Sequence, residues 1–203
     1  MLRDITMLCV GTLCALRASE LRQLDVCDVL DGIDGKDTMA IQLWKRKNDG
    51  HKRGLYPRIG KARNPAFCVI TLIRVYLHRA GLRVSKNCTK TKYSRSPCDA
   101  CGRLFRNTTA AGTRMEDTAR SLQGISMSTL ANALKEALAG IGIPTGMYSS
   151  VSLRKGGVST ALAGNVPEGL RKLQSGHASS CWKAYATTTT RGQLYRFFGS
   201  FGL

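Results

Sequence analysis

The spacing of apolar residues along the chain predicts a mainly helical protein. Leucines recur at steps of mostly three to five residues from the start, which predicts a first helix over 2–24. Later segments show a similar period and have residues that favour helix ends, such as Ser126 before one segment and Gly140 after it. The predicted helices after the first span 65–81, 126–140, 153–163, 167–176 and 179–187.

Two short segments have the alternating pattern of strands. They are 38–44 and 55–59, and the polar stretch between them contains Asn48-Asp49-Gly50, which favours a tight chain reversal. They predict a β-hairpin, whereas 25–35 is rich in turn-forming residues and predicts a loop. The predicted fold is therefore mainly α with a small antiparallel β-sheet, in a single domain over 1–203.

The segment from about 83 to 122 differs from its surroundings, because it is rich in Lys, Arg, Ser, Thr and Gly and holds three cysteines. It predicts an insertion in the domain. Cys98 and Cys101 lie in a Cys-x-x-Cys-Gly sequence, which is the shape of half a structural zinc site. Cys88 and His78 are the candidates to complete four ligands. The alternative is a set of reduced cysteines on a basic loop, since a second close pair is missing.

The charge of the chain points to a polyanionic partner. Lys and Arg number 31 against 13 acidic residues, which gives a formal net charge of +18 spread along the whole sequence. DNA or RNA is the leading partner, because neutralising phosphates releases condensed counterions. A membrane partner is not favoured, since the chain has neither a long apolar run nor a long basic amphipathic helix. Cysteines within apolar stretches, such as Cys9, Cys14 and Cys68, are typical of a reduced intracellular protein.

Phosphodiester chemistry without a metal needs three kinds of group: a nucleophile, cations on the non-bridging oxygens and a donor for the leaving oxygen. Each of these residue types is unremarkable alone in so basic a chain, but their order and sequence contexts are specific. The candidates, in chain order, are Arg17, Lys47, Arg154, His177 and Tyr185.

These contexts resemble the catalytic domain of tyrosine recombinases of the phage-integrase type. CALRASELRQL around Arg17 is similar to the family's Arg-x-Ser-Glu-Leu helix motif, and KRKND resembles its β-hairpin lysine segment. VSLRKGGVSTALAGN around Arg154 matches in part its second arginine motif, and SGHASSCWKAY matches its Gly-His followed by Tyr. The segment from Ser152 to Tyr185 is most similar to recombinases of eukaryotic DIRS-like and Crypton mobile elements.

The resemblance implies a role for each matched residue. Arg17 and Arg154 would hold the scissile phosphate, with His177 adding a hydrogen bond to a non-bridging oxygen. Lys47 would protonate the leaving 5′ oxygen, and Tyr185 would attack phosphorus to form a 3′-phosphotyrosyl link. Glu20 would orient the site, and Lys45 is the alternative to Lys47. The residues expected to contact DNA are Lys45, Arg46, Lys52, Arg53 and Lys155.

Two departures from the family pattern bear on activity. The family usually has a histidine three residues before the second arginine, where this chain has Val151, which cannot exchange a proton. Tyr185 follows His177 by eight residues, one fewer than is common in the family, and one residue turns a helical side chain by about 100°. Tyr195 is therefore a rival nucleophile. Tyr185 and Trp182 also fit a structural reading, in which they only pack a C-terminal helix.

The resemblance further implies double-stranded DNA as partner, a homo-oligomer on paired sites and no cofactor, with zinc serving only a structural purpose if bound. It implies a nuclear protein if the element is eukaryotic, and otherwise a cytoplasmic one with DNA. The family's N-terminal core-binding domain is expected to be absent. Three alternatives stay open: a catalytically inactive DNA-binding relic, a basic RNA-binding protein and a related topoisomerase.

Overall fold

The computed structural model describes residues 1–33, 35–43, 56–62, 64–65, 68–90, 98–107 and 123–176. Within them lie six α-helices and one short 3-10 helix at Val26–Asp28. The α-helices are α1 Leu2–Leu13, α2 Ala18–Arg22, α3 Val69–Arg79, α4 Met127–Ala139, α5 Ser152–Ala163 and α6 Glu168–Ser175. The strands are β1 Val29–Asp31, β2 Thr38–Ile41 and β3 Arg58–Gly60. The prediction of a mainly α fold with a small antiparallel sheet is confirmed.

The sheet is a three-stranded antiparallel meander in the order β1-β2-β3. Val29 pairs with Ile41 across the first two strands, and Thr38 pairs with Gly60 across the last two. Met39, Ala40 and Ile41 are all buried, so the middle strand lies against the core. The polar stretch between β2 and β3 lies outside the described residues.

Several predicted helix ends are confirmed by their cap geometry. The Ser126 hydroxyl accepts a hydrogen bond from the Thr129 amide at 2.9 Å and begins α4, and Gly140 follows its last residue. Gly176 ends α6 in the left-handed region, at φ 61°, where glycine carries no Cβ penalty. Pro167 precedes α6, as expected, because proline lacks the amide that a first turn leaves unused.

Other predicted boundaries were wrong. The helix predicted over 2–24 is two helices, because the chain turns at Ala15, a non-glycine residue at φ 47°. Arg17 is accordingly the N-cap of α2 and does not lie inside one long helix. The predicted loop over 25–35 contains β1, β3 begins only at Arg58, and α3 begins at Val69 after the N-cap Cys68. The helix predicted over 179–187 lies outside the described residues.

The core is built around α1, which packs against α3, α4 and α5. Met7, Val10 and Cys14 on α1 and at its end are fully buried. Burial raises the pKa of the Cys14 thiol to about 12, so this thiol stays neutral and packs as a small apolar group.

The contact between α1 and α5 is unusually close at Gly157. A Cβ atom at this position would overlap the carbonyl oxygen of Thr12, and it would also crowd the carbonyl carbon of the same residue. The neighbouring Gly156 has open space where its Cβ would be. Of the two adjacent glycines, Gly157 is therefore the one that allows the backbones of α1 and α5 to meet.

Part of the cysteine-rich segment packs into the core, while most of its described residues over 83–90 are exposed. Leu104 and Phe105 are buried, and the Leu104 amide donates to the Leu24 carbonyl at 2.8 Å. The Tyr76 ring stacks on Phe105, and its hydroxyl donates to the Leu104 carbonyl at 2.8 Å. Burial raises the pKa of Tyr76, which keeps this hydroxyl protonated as a donor.

No helix within the described ranges has both the length and the apolar character needed to cross a bilayer.

Candidate active site

Two arginines that are distant in sequence meet at one carboxylate. Glu20 on α2 is buried, and its Oε1 accepts from Nη1 of Arg17 at 2.9 Å. Nη1 of Arg154, from α5, lies 3.7 Å from Oε2 of the same carboxylate. Two guanidinium groups on one carboxylate leave a local excess of positive charge, which suits an anion.

The Glu20 side chain orients Arg17 at the start of α2. The Arg17 amide donates to Oε2 of Glu20 at 2.8 Å, which is the bond that the third residue of a helix makes back to the N-cap amide in a capping box. Glu20 thus contacts both the backbone and the guanidinium of Arg17. The Arg17 side chain keeps 29% of its surface exposed, so part of the guanidinium faces solvent.

Arg154 is held from both sides by main-chain carbonyls. Its Nη1 donates to Ala15 at 2.9 Å, and its Nη2 donates to Ser175 at 3.0 Å. Only 2% of its side chain is exposed. These bonds join α5 to the turn before α2 and to the last residue of α6, so Arg154 connects three elements around one point.

Gln174 connects the sheet to the same region. Its side-chain oxygen accepts from the Arg58 amide at 3.0 Å, and its side-chain nitrogen donates to the Arg58 carbonyl at 3.0 Å. The same nitrogen donates to the Leu13 carbonyl at 3.1 Å. The side chain therefore bonds to Arg58 as a neighbouring strand would, and it ties β3 to the end of α1 and to α6.

Sequence reasoning did not find Gln174, Ala15 or Ser175. Gln174 acts through its side-chain amide, and the other two act through main-chain carbonyls that any residue carries. The sequence offered only a weak signal that Gln174 belongs to the site, namely its position three residues before the candidate His177.

Two further positions of the predicted site lie on or beside α5. Val151 is the N-cap of this helix and is 57% exposed, so an apolar side chain faces solvent three residues before Arg154. Lys155, predicted to contact DNA, is exposed on the helix next to Arg154.

The remaining predicted residues lie outside the described residues. Those are Lys45, Arg46, Lys47, Lys52, Arg53, His177, Tyr185 and its rival Tyr195. Their roles therefore remain predictions. In the sequence, His177 comes two residues after Ser175, whose carbonyl accepts from Arg154.

Four cysteines meet at a second place in the molecule and could hold a metal ion. The Sγ atoms of Cys27, Cys88, Cys98 and Cys101 all lie within 4.8 Å of one another. Three of them were predicted as ligands, but the predicted fourth, His78, was wrong. His78 is exposed in the last turn of α3 and does not belong to this cluster, and Cys27 takes the fourth position.

Comparison by sequence gives no relative: neither a protein-family model nor a curated protein matches the chain. Comparison of structures, in contrast, finds similar proteins. The chain is similar to XerH site-specific recombinase bound to difH substrate in a pre-cleavage complex, with 16% identity, a TM-score of 0.61 and coverage of 95% of this chain and 44% of that one.

Two other solved structures agree. XerH in a post-cleavage complex with palindromic difH matches with 14% identity and a TM-score of 0.62, covering 100% of this chain and 46% of that one. XerA recombinase matches with 16% identity and a TM-score of 0.57, covering 98% and 56%. The chain spans about half the length of each of these proteins. Together with the six helices and the three-stranded sheet, these matches show that the chain has the fold of the tyrosine recombinase catalytic domain.

Proposed function

We propose that this chain cleaves and rejoins double-stranded DNA through a 3′-phosphotyrosyl intermediate. The observation that carries the proposal is the meeting of Arg17 and Arg154 at Glu20, within a fold shared with site-specific recombinases. The pair was predicted from sequence motifs separated by most of the chain. Basic residues that served only for general affinity to a polyanion would not need to meet at one buried carboxylate.

The arginine pair would stabilise charge that develops on the phosphate during attack. Guanidinium groups bind phosphate oxygens through paired hydrogen bonds, and their effect is strongest where they are already oriented before reaction. Glu20 supplies that orientation for Arg17, while the carbonyls of Ala15 and Ser175 supply it for Arg154. Arg154 contacts these acceptors while nearly enclosed, so it would act at the inner side of a bound phosphate.

The chemical step follows from the predicted roles. The Tyr185 oxygen attacks phosphorus and loses its proton to solvent water, the bond to the 5′ oxygen breaks, and Lys47 protonates the leaving oxygen. His177 donates a hydrogen bond to a non-bridging oxygen. Rejoining is the reverse step, in which a 5′ hydroxyl attacks the phosphotyrosine and releases the tyrosine. The phosphodiester bond energy is kept in the covalent link, so no nucleotide hydrolysis is needed.

The wider setting is part of the same proposal. The segment from Ser152 to Tyr185 supports a recombinase of a DIRS-like or Crypton mobile element, acting in the nucleus on paired sites as a homo-oligomer. The net charge of +18 supports a duplex partner bound largely through its phosphates. XerH site-specific recombinase, which shares the fold, is described bound to its difH substrate.

Covalent trapping tests the proposal. The full chain is incubated with a pool of random-sequence duplexes that carry nicks or 5′-bridging phosphorothiolates, which prevent rejoining. We expect a protein–DNA band that survives denaturation in the wild type and in the control Tyr148→Phe, and that disappears in Tyr185→Phe. Loss only in Tyr195→Phe would keep the chemistry but overturn the choice of nucleophile. No band on any duplex, with DNA binding intact, would contradict the proposal.

A DNA-binding relic of the same fold is the second candidate, and Val151 favours it. This exposed apolar side chain stands where the family usually has a histidine that can exchange a proton. A relic would bind duplex DNA with the salt dependence of phosphate contacts, and Tyr185→Phe would leave that binding unchanged. Binding and covalent trapping on the same samples therefore separate the two functions.

A further inference from the structure

We propose that Cys27, Cys88, Cys98 and Cys101 bind one zinc ion as a structural tetrathiolate site. Their Sγ atoms all lie within 4.8 Å of one another, and those of Cys88 and Cys98 are 3.6 Å apart. Four sulfurs around a tetrahedral zinc, each at about 2.3 Å, are separated from one another by about 3.8 Å. The cluster is therefore already close to the size that one ion requires. This proposal does not depend on the DNA chemistry.

The backbone around Cys98 and Cys101 has the form of a zinc-binding turn. The amides of Cys101 and Gly102 both donate to the Cys98 carbonyl, at 3.2 and 2.6 Å. Gly102 has a φ of 68°, a conformation that a residue with a Cβ adopts only under strain. The turn brings both thiols to the same side, which explains why the Cys-x-x-Cys-Gly pattern carries a glycine at its end.

The other two cysteines come from separate segments that the fold brings to this turn. Cys27 lies in the 3-10 helix that follows α2, and the Val26 amide beside it donates to the Gly102 carbonyl at 3.0 Å. Cys88 ends a turn in which its amide donates to the Ser85 carbonyl at 3.1 Å. The Ser85 amide in turn donates to Sγ of Cys101 at 3.4 Å. An amide that donates to sulfur is typical of the outer shell of a metal thiolate site.

A buried ion-pair network holds these segments together. Lys90, two residues after Cys88, lies 2.6 Å from a carboxylate oxygen of Asp25 and 2.8 Å from one of Asp28. Asp25 also accepts from the Cys98 amide at 3.0 Å and from Arg103 at 3.0 Å. The three segments are thus fixed by contacts that do not involve the thiols. The thiols converge as a consequence, and a metal ion would find its ligands already assembled.

The size of the cluster favours a single ion over an iron–sulfur cluster. Tetrahedral sulfur sites bind zinc or iron–sulfur centres. Four Sγ atoms within 4.8 Å of one another enclose one ion but leave no room for several irons and their bridging sulfides.

The charges beside the cluster also suit zinc. The positive charges of Lys90 and Arg103 offset the negative charges of Asp25 and Asp28. The +2 charge of zinc is therefore left to balance part of the negative charge of the four thiolates.

The site would support the arginine pair from the far end of α2. Cys27 follows α2 closely, and the intervening Leu24 accepts a backbone bond from Leu104, three residues after Cys101. A zinc ion would therefore fix the C-terminal end of α2, the helix that carries Glu20, to the segments that contain Cys88 and Cys101.

Metal analysis of the full chain, purified from cells grown with zinc, tests this assignment. We expect one zinc per chain in the wild type, in Cys9→Ser and in His78→Ala. Cys27→Ser should retain zinc against a competing chelator at least about tenfold less well, since loss of an outer-shell partner alone can cost that much. Cys9 is a matched control because it is a free cysteine outside the cluster.

A second measurement needs no variant, so it does not depend on how a substitution affects folding. The wild-type chain is alkylated before and after treatment with a chelator, and the modified cysteines are identified by mass spectrometry. We expect Cys27, Cys88, Cys98 and Cys101 to be protected before treatment and to react together after it. Cobalt(II) added to the zinc-free chain should give the visible bands of a tetrahedral thiolate complex. Absence of metal, iron in place of zinc, or full zinc retention in a folded Cys27→Ser chain would overturn the proposal.

Discussion

Arg154 donates a hydrogen bond from Nη1 to the main-chain carbonyl oxygen of Ala15, at 2.9 Å. The bond joins the first turn of α5 to the turn between α1 and α2. Arg17 stands two residues after Ala15, so the bond also sets the distance between the two arginines that meet at Glu20. The geometry of the candidate site therefore depends on how closely α1 and α5 pack.

Gly157→Ala should disrupt that packing, because its new Cβ would overlap the Thr12 carbonyl. We expect the free energy of unfolding to fall by about 3 kcal/mol, the upper part of the usual range for overpacking. Urea unfolding followed by circular dichroism measures it. Gly156→Ala is the control and should be neutral or stabilising by up to about 1 kcal/mol, because its Cβ meets no atom within 4 Å and alanine favours helix. Equal changes in the free energy of unfolding for the two variants would show that the close contact of Gly157 with Thr12 does not limit the packing of α1 and α5.

Glu20→Gln should destabilise the protein, although the glutamine side chain has nearly the same size as the glutamate side chain. It removes the negative charge that faces Arg17 and the enclosed Arg154, and a buried charge that loses its partner costs about 3 kcal/mol. The same unfolding measurement applies. Glu136→Gln, on the exposed face of α4, is the matched control and should change stability by less than about 0.5 kcal/mol. A Glu20 variant as stable as this control would mean that the carboxylate does not hold the arginine pair.

Gln174→Glu should loosen the connection between the sheet and α6. The carboxylate can still accept from the Arg58 amide, but it cannot donate to the carbonyls of Arg58 and Leu13. We expect a loss of about 1–2 kcal/mol in the free energy of unfolding. Amide hydrogen exchange should become faster in β3.

The exposed Gln123→Glu carries the same change of charge and serves as the control for Gln174→Glu. Its stability and its exchange pattern should match those of the wild type. If both variants behave alike, the three hydrogen bonds of Gln174 contribute nothing measurable.

Val151→His should raise the rate of covalent adduct formation on the trapping substrates. It introduces a proton-exchanging group three residues before Arg154, and general acid–base catalysis contributes about 100-fold or more where such a group is well placed. An increase of about tenfold is a conservative expectation. Val151 is 57% exposed, so the change should leave stability nearly unaltered. Val151→Ala separates the effect of the imidazole from that of removing valine, and equal rates for both variants would argue against this role.

The fold class and the arginine pair could be predicted from the sequence because both depend on local signals. Leucine period, Ser126 and the terminal glycines mark helices, and the arginines stand in recognisable motifs. The break at Ala15 could not be predicted, since alanine is the best helix former and the leucine period runs through it. Cys27 was missed because it lies far along the chain from Cys88 and its neighbours, and only tertiary packing brings them together.

The turn at Ala15 has a further consequence for the two peptide groups beside it. In an uninterrupted helix the Arg17 amide would donate to the Leu13 carbonyl, and both groups would be occupied by the helix itself. The left-handed residue costs about 1–2 kcal/mol, but it releases both groups for other partners. The amide goes to Glu20 and the carbonyl goes to Gln174. One missing helical bond is thereby replaced by a capping bond at the start of α2 and by a tertiary bond that attaches the end of α1 to α6.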